Sequence, residues 1–223
     1  MMTAQTNGHG CGTLPLKREQ AYEAIRTAIV CLELAPSSII DEAALCQQLG
    51  LGRTPVHDAL QRLQHEGLVQ IFARRGMIVS PISMLESQHL TQARLMWEPN
   101  IARLAAQVGK PGMWDALDRL LAETPETFAT IEDATIGATV NRRFHRGIAE
   151  ATGNPYLIEL VRQHEHRKAR LSFVFFRHGL YTPVTEQHHA ILAALRAGDG
   201  DEAAALMARH ISITQERQAR VLQ

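Results

Sequence analysis

The apolar residues of this chain follow helical spacing three times, then alternate briefly, and then return to helical spacing until the end. The predicted elements are helices over about Leu16 to Leu34, Asp41 to Leu49 and Arg53 to His65, then strands over Val69 to Phe72 and Met77 to Ser80. The residues Ala73-Arg74-Arg75-Gly76 join the two strands as a hairpin. Three helices and a hairpin in this order are typical of a winged helix-turn-helix, whose second and third helices meet at Gly50.

The chain after residue 84 shows helical periodicity only. The predicted helical segments are 84–108, 112–123, 131–152, 155–178, 184–197 and 200–221. We therefore expect a mainly α fold: a winged helix-turn-helix domain over 14–81 and an all-α bundle of about six helices over 84–223. The polar residues 1–13 are expected to form a disordered tail.

Composition excludes several classes of protein. The 223 residues include 23 basic and 23 acidic side chains and are 45% apolar, which is typical of a globular protein. No stretch approaches the roughly 20 apolar residues of a membrane helix, and the first residues lack a secretory signal, so we expect a cytoplasmic protein with no membrane partner. The three cysteines form no CxxC pair, which argues against a disulfide framework.

The start of the third predicted helix carries polar side chains where a helix-turn-helix enters the major groove of DNA. In this interpretation Arg53, Thr54 and His57 contact bases or phosphates, and Arg74 and Arg75 at the hairpin tip contact the flanking backbone. A winged helix that binds another protein is the alternative from topology alone. Because the predicted DNA-binding surface carries few basic side chains, we expect a homodimer that binds two half-sites of a double-stranded DNA operator.

The first part resembles the GntR family of bacterial transcription regulators, above all in the stretch LGLGRTPVHDALQRLQHEGLVQIFARRGMIV. The resemblance implies DNA-contacting positions at Arg53, Thr54, His57, Arg75 and Gly76. The family's pattern has serine where this chain has Gly52, and a second arginine where it has His57. Glycine is a tolerated helix N-cap. Histidine is mostly neutral at pH 7, so we expect an unusual operator or weaker binding.

Histidine is frequent in the second part, and three imidazoles lie on inner faces of predicted helices. His188 heads an apolar stripe, His210 lies on the inner face of the last helix, and His145 shares one side with Asn141. Buried imidazoles need polar partners. A divalent metal bound by these residues would supply one, because neutral imidazole is a common zinc ligand. Hydrogen-bonded core histidines are the alternative.

The same part resembles the FCD effector domain of the FadR branch of the GntR family, through the stretches NRRFHRGIAEATGN, EQHHAILAALRAGDGDEAA and ALMARH. The resemblance implies metal ligands at Asn141, His145, His188 and His210. The family's usual first ligand is aspartate, and an asparagine brings no negative charge, so the affinity should fall or the preferred metal change. We expect zinc, with nickel or manganese as other choices.

Arg94 lies in the stretch ARLMWEPNIARLAA, where the same family often has an arginine. The resemblance implies a guanidinium that binds a small carboxylate effector, which would also occupy an open position on the metal. A surface arginine stacked on Trp97 is the alternative.

Together these patterns predict a dimeric, metabolite-responsive transcription regulator, which in this family is most often a repressor. A small organic acid bound in the helical part would change the relative orientation of the two winged helices of the dimer. The alternatives are a metal sensor, a metal-dependent hydrolase, and a regulator whose helical pocket is empty or structural. Since the spacing of the polar residues indicates neither a general base nor a nucleophile, we expect no enzyme activity.

Overall fold

The computed structural model describes residues 13–73, 76–177 and 184–219, with the side chains of 16–73, 76–177 and 184–213. The chain divides into two units, one of residues up to Ile29 together with Glu33–Ser80, and one of Val30–Leu32 together with the residues from Pro81 onward. Helices make up most of the described residues and the sheet is small, which confirms the expected mainly α fold class. The predicted tail lies outside the described residues except for Thr13, which begins the first helix.

The first unit has the element order expected of a winged helix-turn-helix. Its elements are α1 (Thr13–Val30), β1 (Ile39–Ile40), α2 (Glu42–Leu49), α3 (Arg53–His65), β2 (Val69–Phe72) and β3 (Gly76–Val79). The strands form an antiparallel sheet in the order β1-β3-β2. Val69 pairs with Val79 and Phe72 pairs with Gly76, so β2 and β3 form the predicted hairpin.

Two local features differ from the sequence prediction. The first helix ends at Val30 and not near Leu34, because Leu32 adopts a left-handed backbone with a φ of 61°, which a helix cannot continue. The strand β1 is not predicted by periodicity, since two residues are too few to show alternation. It forms because Ile39 and Ile40 pair with β3.

The core of the first unit takes apolar residues from one face of each helix and from the sheet. Its buried members include Tyr22, Ile25, Ile29, Leu45, Val56, Leu60, Leu63, Val69 and Val79. The helix α2 begins at Asp41, whose Oδ1 accepts hydrogen bonds from the backbone amides of Ala43 and Ala44. It ends at Gly50, whose φ of 63° allows the tight turn before α3.

The second unit is helical throughout its described residues, apart from the connections between helices. Its helices are α4 (Met84–Val108), α5 (Pro111–Leu121), α6 (Ile131–Ala151), α7 (Pro155–Arg177), α8 (Thr185–Ala197) and α9 (Gly200–Ala219). Each corresponds to one predicted segment, with ends that differ by at most two residues. None of the helices in the described ranges combines the length and the apolarity needed to cross a membrane.

The core of the second unit joins all six of its described helices, and it surrounds a group of polar side chains. The helix α4 packs along α9, and α6 packs along α7. The apolar core includes Trp114, Leu117, Phe144, Ile148, Ile191, Leu195, Met207 and Ile211. The buried polar and charged residues of this unit include Arg94, Glu98, Asn141, His145, Lys168, His188 and His210. Buried polar groups need partners, so these residues are the candidates for a binding site.

Candidate functional site

The first turn of α3 presents to solvent the side chains predicted to contact DNA. The Arg53 side chain is 87% exposed, Thr54 is exposed, and His57 is half-buried. Val56 is fully buried in the core of the first unit, which fixes the side of α3 that faces solvent. This geometry is compatible with groove recognition by α3.

The hairpin contributes one described residue to the predicted DNA-binding set. Gly76 begins β3 with a φ of 76°, a backbone conformation that glycine adopts without strain. Arg74 and Arg75 lie outside the described residues. The DNA contacts assigned to the α3 and hairpin residues therefore stay a prediction.

A carboxylate that sequence reasoning missed lies beside these side chains. On α2, Glu42 Oε1 is 3.2 Å from Arg53 Nε, and Glu42 Oε2 is 3.3 Å from His57 Nδ1. The other ring nitrogen of His57 is 3.2 Å from Gln61 Nε2. Helical periodicity cannot reveal the contact, because Glu42 lies on a different helix from Arg53 and His57. Glu42 thus orients two of the predicted DNA-contacting residues.

The second unit brings together the three histidines predicted as metal ligands. His145 comes from α6, His188 from α8 and His210 from α9. All three are buried, and one ligand atom from each lies within 4.8 Å of those of the other two. The ring centroids of His188 and His210 are 4.9 Å apart, and those of His145 and His210 are 5.3 Å apart. Among the described residues this is the group of side chains with the geometry of a metal site.

The protonation and hydrogen bonding of the imidazoles fit a divalent metal. Burial is the largest cause that lowers the pKa of all three histidines, to about 4 for His145, and nearby positive groups lower it further. The rings are therefore neutral at pH 7 and can donate a lone pair. His145 Nε2 and His188 Nε2 are buried without a hydrogen-bond partner in the described part of the chain. His210 Nδ1 donates to Gln187 Oε1 at 2.8 Å, which leaves its Nε2 as the ligand atom.

Asn141 lies one helical turn before His145, and its carbonyl oxygen already has a partner. Lys168 Nζ donates a hydrogen bond to Asn141 Oδ1 at 3.0 Å, and both residues are buried. A carbonyl oxygen can accept a second interaction, but a metal ion there would have to share this oxygen with the lysine's amino group. Ligation by Asn141 therefore stays a prediction.

Arg94 is buried, which contradicts the alternative of a surface arginine stacked on Trp97. Only 4% of the residue is exposed, and its Nε contacts Glu98 Oε1. Its Nη2 is buried and has no hydrogen-bond partner among the described residues. Trp97 instead stacks on His164, with ring centroids 5.2 Å apart. Arg94 thus keeps one donor available for a bound acceptor.

A cavity lies directly beside this arginine and the histidine group. It contains about 300 Å³ of space free of protein atoms, part of which is open to solvent. Its wall includes Arg94, Trp97, Glu98, Arg142, His145, Val161, His164, Glu165 and Lys168. His145 and Arg94 thus share the wall of one cavity.

Glu98 is the residue of this site that the sequence interpretation left unassigned. Its Oε1 contacts Arg94 Nε, and its Oε2 is 2.5 Å from His145 Nδ1, an ion-pair distance without the alignment of a hydrogen bond. Burial would raise the pKa of this carboxyl, but the permanent charge of Arg94 and the contact with His145, whose ring becomes charged in acid, outweigh burial and hold the pKa well below its usual range. The spacing of four residues from Arg94 is the sequence signal that could have found it.

Comparison with known proteins agrees with the architecture. The model of the family described as "Bacterial regulatory proteins, gntR family" matches residues 17–79, and the FCD domain model matches residues 89–212. The chain is 32% identical over 127 residues to an uncharacterized HTH-type transcriptional regulator in the TAR-I ttuE-ttuC' intergenic region of Agrobacterium vitis, covering 56% of this chain and 74% of that protein.

Two further relatives cover most of the chain. It is 24% identical over 208 residues to the HTH-type transcriptional repressor RspR of Escherichia coli strain K12, covering 89% of this chain and 87% of that protein. The solved structure of E. coli McbR/YncC has a TM-score of 0.78 at 21% identity and covers 92% of this chain and 97% of its own, which shows a shared fold. Since the two family models match the two units in sequence order, the chain belongs to the gntR family of bacterial regulatory proteins and is a DNA-binding transcription regulator with an FCD domain.

Proposed function

We propose that this regulator is a homodimeric repressor whose DNA binding responds to a small carboxylate bound beside a divalent metal in the FCD domain. The observation that carries the proposal is the buried group His145, His188 and His210, whose ligand atoms lie within 4.8 Å of one another, next to a cavity. The donor Arg94 Nη2, buried without a hydrogen-bond partner among the described residues, supports a carboxylate as the occupant. The relative named as a transcriptional repressor supports the direction of control.

In this proposal each group has a separate task. The three imidazoles would hold the ion, and a bound ion would supply a Lewis acid that attracts a carboxylate oxygen. Arg94 would donate Nη2–H to the same carboxylate, and the amino group of Lys168 would lie in the same cavity wall. Burial and the charge of Arg94 lower the pKa of Lys168 well below its usual range. Trp97 and Val161 give the rest of the wall an apolar surface that limits the size of the ligand.

The effector must bind one DNA-binding state of the dimer more tightly than another if it is to regulate transcription. One winged helix carries few basic side chains on α3, so useful affinity requires two copies on two half-sites. We therefore expect the full-length protein to be a dimer that binds an inverted repeat. Sedimentation of the protein with and without such a duplex measures both properties.

A thermal-shift experiment tests the metal and the carboxylate together. The midpoint of unfolding is measured after EDTA treatment, then with zinc, nickel or manganese, and then with each metal plus a set of small mono- and dicarboxylates. A ligand that binds the folded state raises the midpoint by mass action, so we expect zinc to raise it and one acid to raise it further. The His188→Ala variant should lose the response to zinc. The matched control is His189→Ala. His189 is the next residue in the chain, and its ring is half-exposed and outside the histidine group.

The same samples, titrated with an inverted-repeat duplex, separate the alternatives. Release of the duplex by the acid supports the proposal, and a response of DNA binding to zinc alone favours a metal sensor. The close approach of the histidines is the observation that favours this second candidate. If wild type and His188→Ala respond equally to all metals and acids, the sensing half of the proposal is wrong.

A further inference from the structure

We infer that Glu98 is the positioning carboxylate of the histidine site: it sets the proton and the orientation of the His145 ring and joins that ring to Arg94. The inference rests on the proposed metal centre, and it assigns a role to a residue outside the predicted ligand set. It also implies that Glu98 links metal binding at His145 to carboxylate binding at Arg94.

The two oxygens of Glu98 face the two components of the site. Oε1 contacts Arg94 Nε, and Oε2 is 2.5 Å from His145 Nδ1. The Glu98 side chain is 8% exposed and those of Arg94 and His145 are each 5% exposed, so water cannot substitute for these contacts. A negatively charged group buried in this way is stable only when its partners stay in place. Glu98 therefore holds both of them.

The contact with His145 determines which ring nitrogen is available to a metal. An ionised carboxylate is an acceptor only, and two lone pairs cannot face each other at 2.5 Å. Although the contact lacks the alignment of a hydrogen bond, a neutral ring with its proton on Nδ1 is the tautomer that avoids this repulsion, and it leaves the lone pair on Nε2. Nε2 is the atom of His145 without a close contact to a carboxylate, and it has no hydrogen-bond partner in the described residues. A carboxylate behind a ligating imidazole fixes its tautomer and raises its basicity.

The chain offers a matched control in the wall of the same cavity. Glu165 is a second buried carboxylate that lines the same cavity, and its oxygens contact Arg142, Arg146 and His166. None of the metal-site histidines is among these contacts. Substitution of Glu165 thus removes a buried charge from the same cavity without touching His145.

The first experiment measures zinc affinity of the full-length protein by competition with a chromophoric chelator. Glu98→Gln keeps an acceptor oxygen but loses the charge, and Glu98→Leu loses both. We expect zinc to bind about 10-fold more weakly to Glu98→Gln and about 100-fold more weakly to Glu98→Leu, the range found when outer carboxylates of metal sites are removed. Glu165→Gln should bind zinc within about twofold of wild type. Unfolding midpoints in EDTA show whether each variant is folded.

The second experiment needs no Glu98 variant. Long-range ¹H–¹⁵N spectra of the metal-free wild type report the tautomer of each histidine, and the signals missing from His145→Gln identify that ring. We expect the Nδ1–H tautomer. The Nε2–H tautomer, or a Glu98→Gln protein that binds zinc as tightly as Glu165→Gln, overturns the inference. A wild-type protein that binds no zinc instead overturns the metal centre of the proposed function, so the two failures are distinct.

Discussion

Glu42 places a negative charge beside the residues that we predict to bind DNA. Its two oxygens lie 3.2 Å from Arg53 Nε and 3.3 Å from His57 Nδ1. In a protein that has arginine at the position of His57, the same carboxylate would be balanced by two permanent charges. Here the second partner is a histidine, which has no permanent charge, so the negative charge of Glu42 is less well compensated near the phosphates.

We predict that Glu42→Gln binds an operator duplex more tightly than wild type. Removal of one poorly compensated negative charge and release of Arg53 should raise the affinity about two- to fivefold, the scale of a solvent-exposed ion pair. Fluorescence anisotropy at two salt concentrations measures the change. The control is Glu19→Gln, which loses an exposed ion pair with Arg62. Weaker binding by Glu42→Gln would contradict this prediction and would indicate that Glu42 holds Arg53 in its binding geometry.

At the scale of elements, the helix-turn-helix depends on how α2 begins and ends. Asp41 Oδ1 accepts two backbone hydrogen bonds at the start of α2, and Gly50 adopts the left-handed conformation that ends it. α3 has no side-chain cap at Gly52, so its start is defined by the turn and by the burial of Val56. The cap at Asp41 therefore stabilises a helix that supports α3.

We predict that Asp41→Ala lowers the free energy of unfolding by about 1 kcal/mol, because the amides of Ala43 and Ala44 lose their acceptor. Urea denaturation monitored by circular dichroism measures the loss. Asp58→Ala is the control, since Asp58 forms a partly exposed ion pair with Arg18 that contributes little. Equal losses in the two variants would show that the cap adds nothing beyond a surface charge.

The sequence predicted elements better than it predicted contacts between them. The apolar stripes of α3, α6 and α8 located these helices and the inner position of His145 and His188, because helical spacing is a local property. Helical spacing could not predict the strand β1, which depends on pairing with β3. It also could not predict the end of α1, which depends on the backbone conformation of Leu32. Glu42 and the contact of Glu98 with His145 were missed for a related reason: both contacts join two helices, and no spacing within one helix encodes them. The pairing of Glu98 with Arg94, four residues apart on α4, is the part that the sequence could have indicated.

At the scale of the whole molecule, the second unit buries several ionisable side chains, which are uncommon in protein interiors. His145, His188 and His210 share its interior with Glu98 and Lys168. Burial lowers the pKa of the three histidines, so the folded protein binds fewer protons than the unfolded chain in mildly acidic solution. The folded state is therefore sensitive to acid even before its carboxylates are protonated.

We predict that the free energy of unfolding of the metal-free protein decreases as pH falls from about 6.5 towards 4. Unfolded imidazoles take up protons below about 6.5, whereas folded His145 resists protonation until about 4, so acid favours the unfolded state. Each such histidine contributes a slope of up to about 1.4 kcal/mol per pH unit. Urea unfolding in EDTA at several pH values measures it. A flatter profile is expected for His188→Leu; stability that is constant over this window contradicts the prediction.

The three histidines come from three separate helices, α6, α8 and α9. An ion bound by all of them would act as a removable cross-link, closing long loops that the unfolded chain otherwise leaves open. Its stabilising effect would then spread over three helices at once, so the persistence of the regulator in a cell would follow the local supply of that ion.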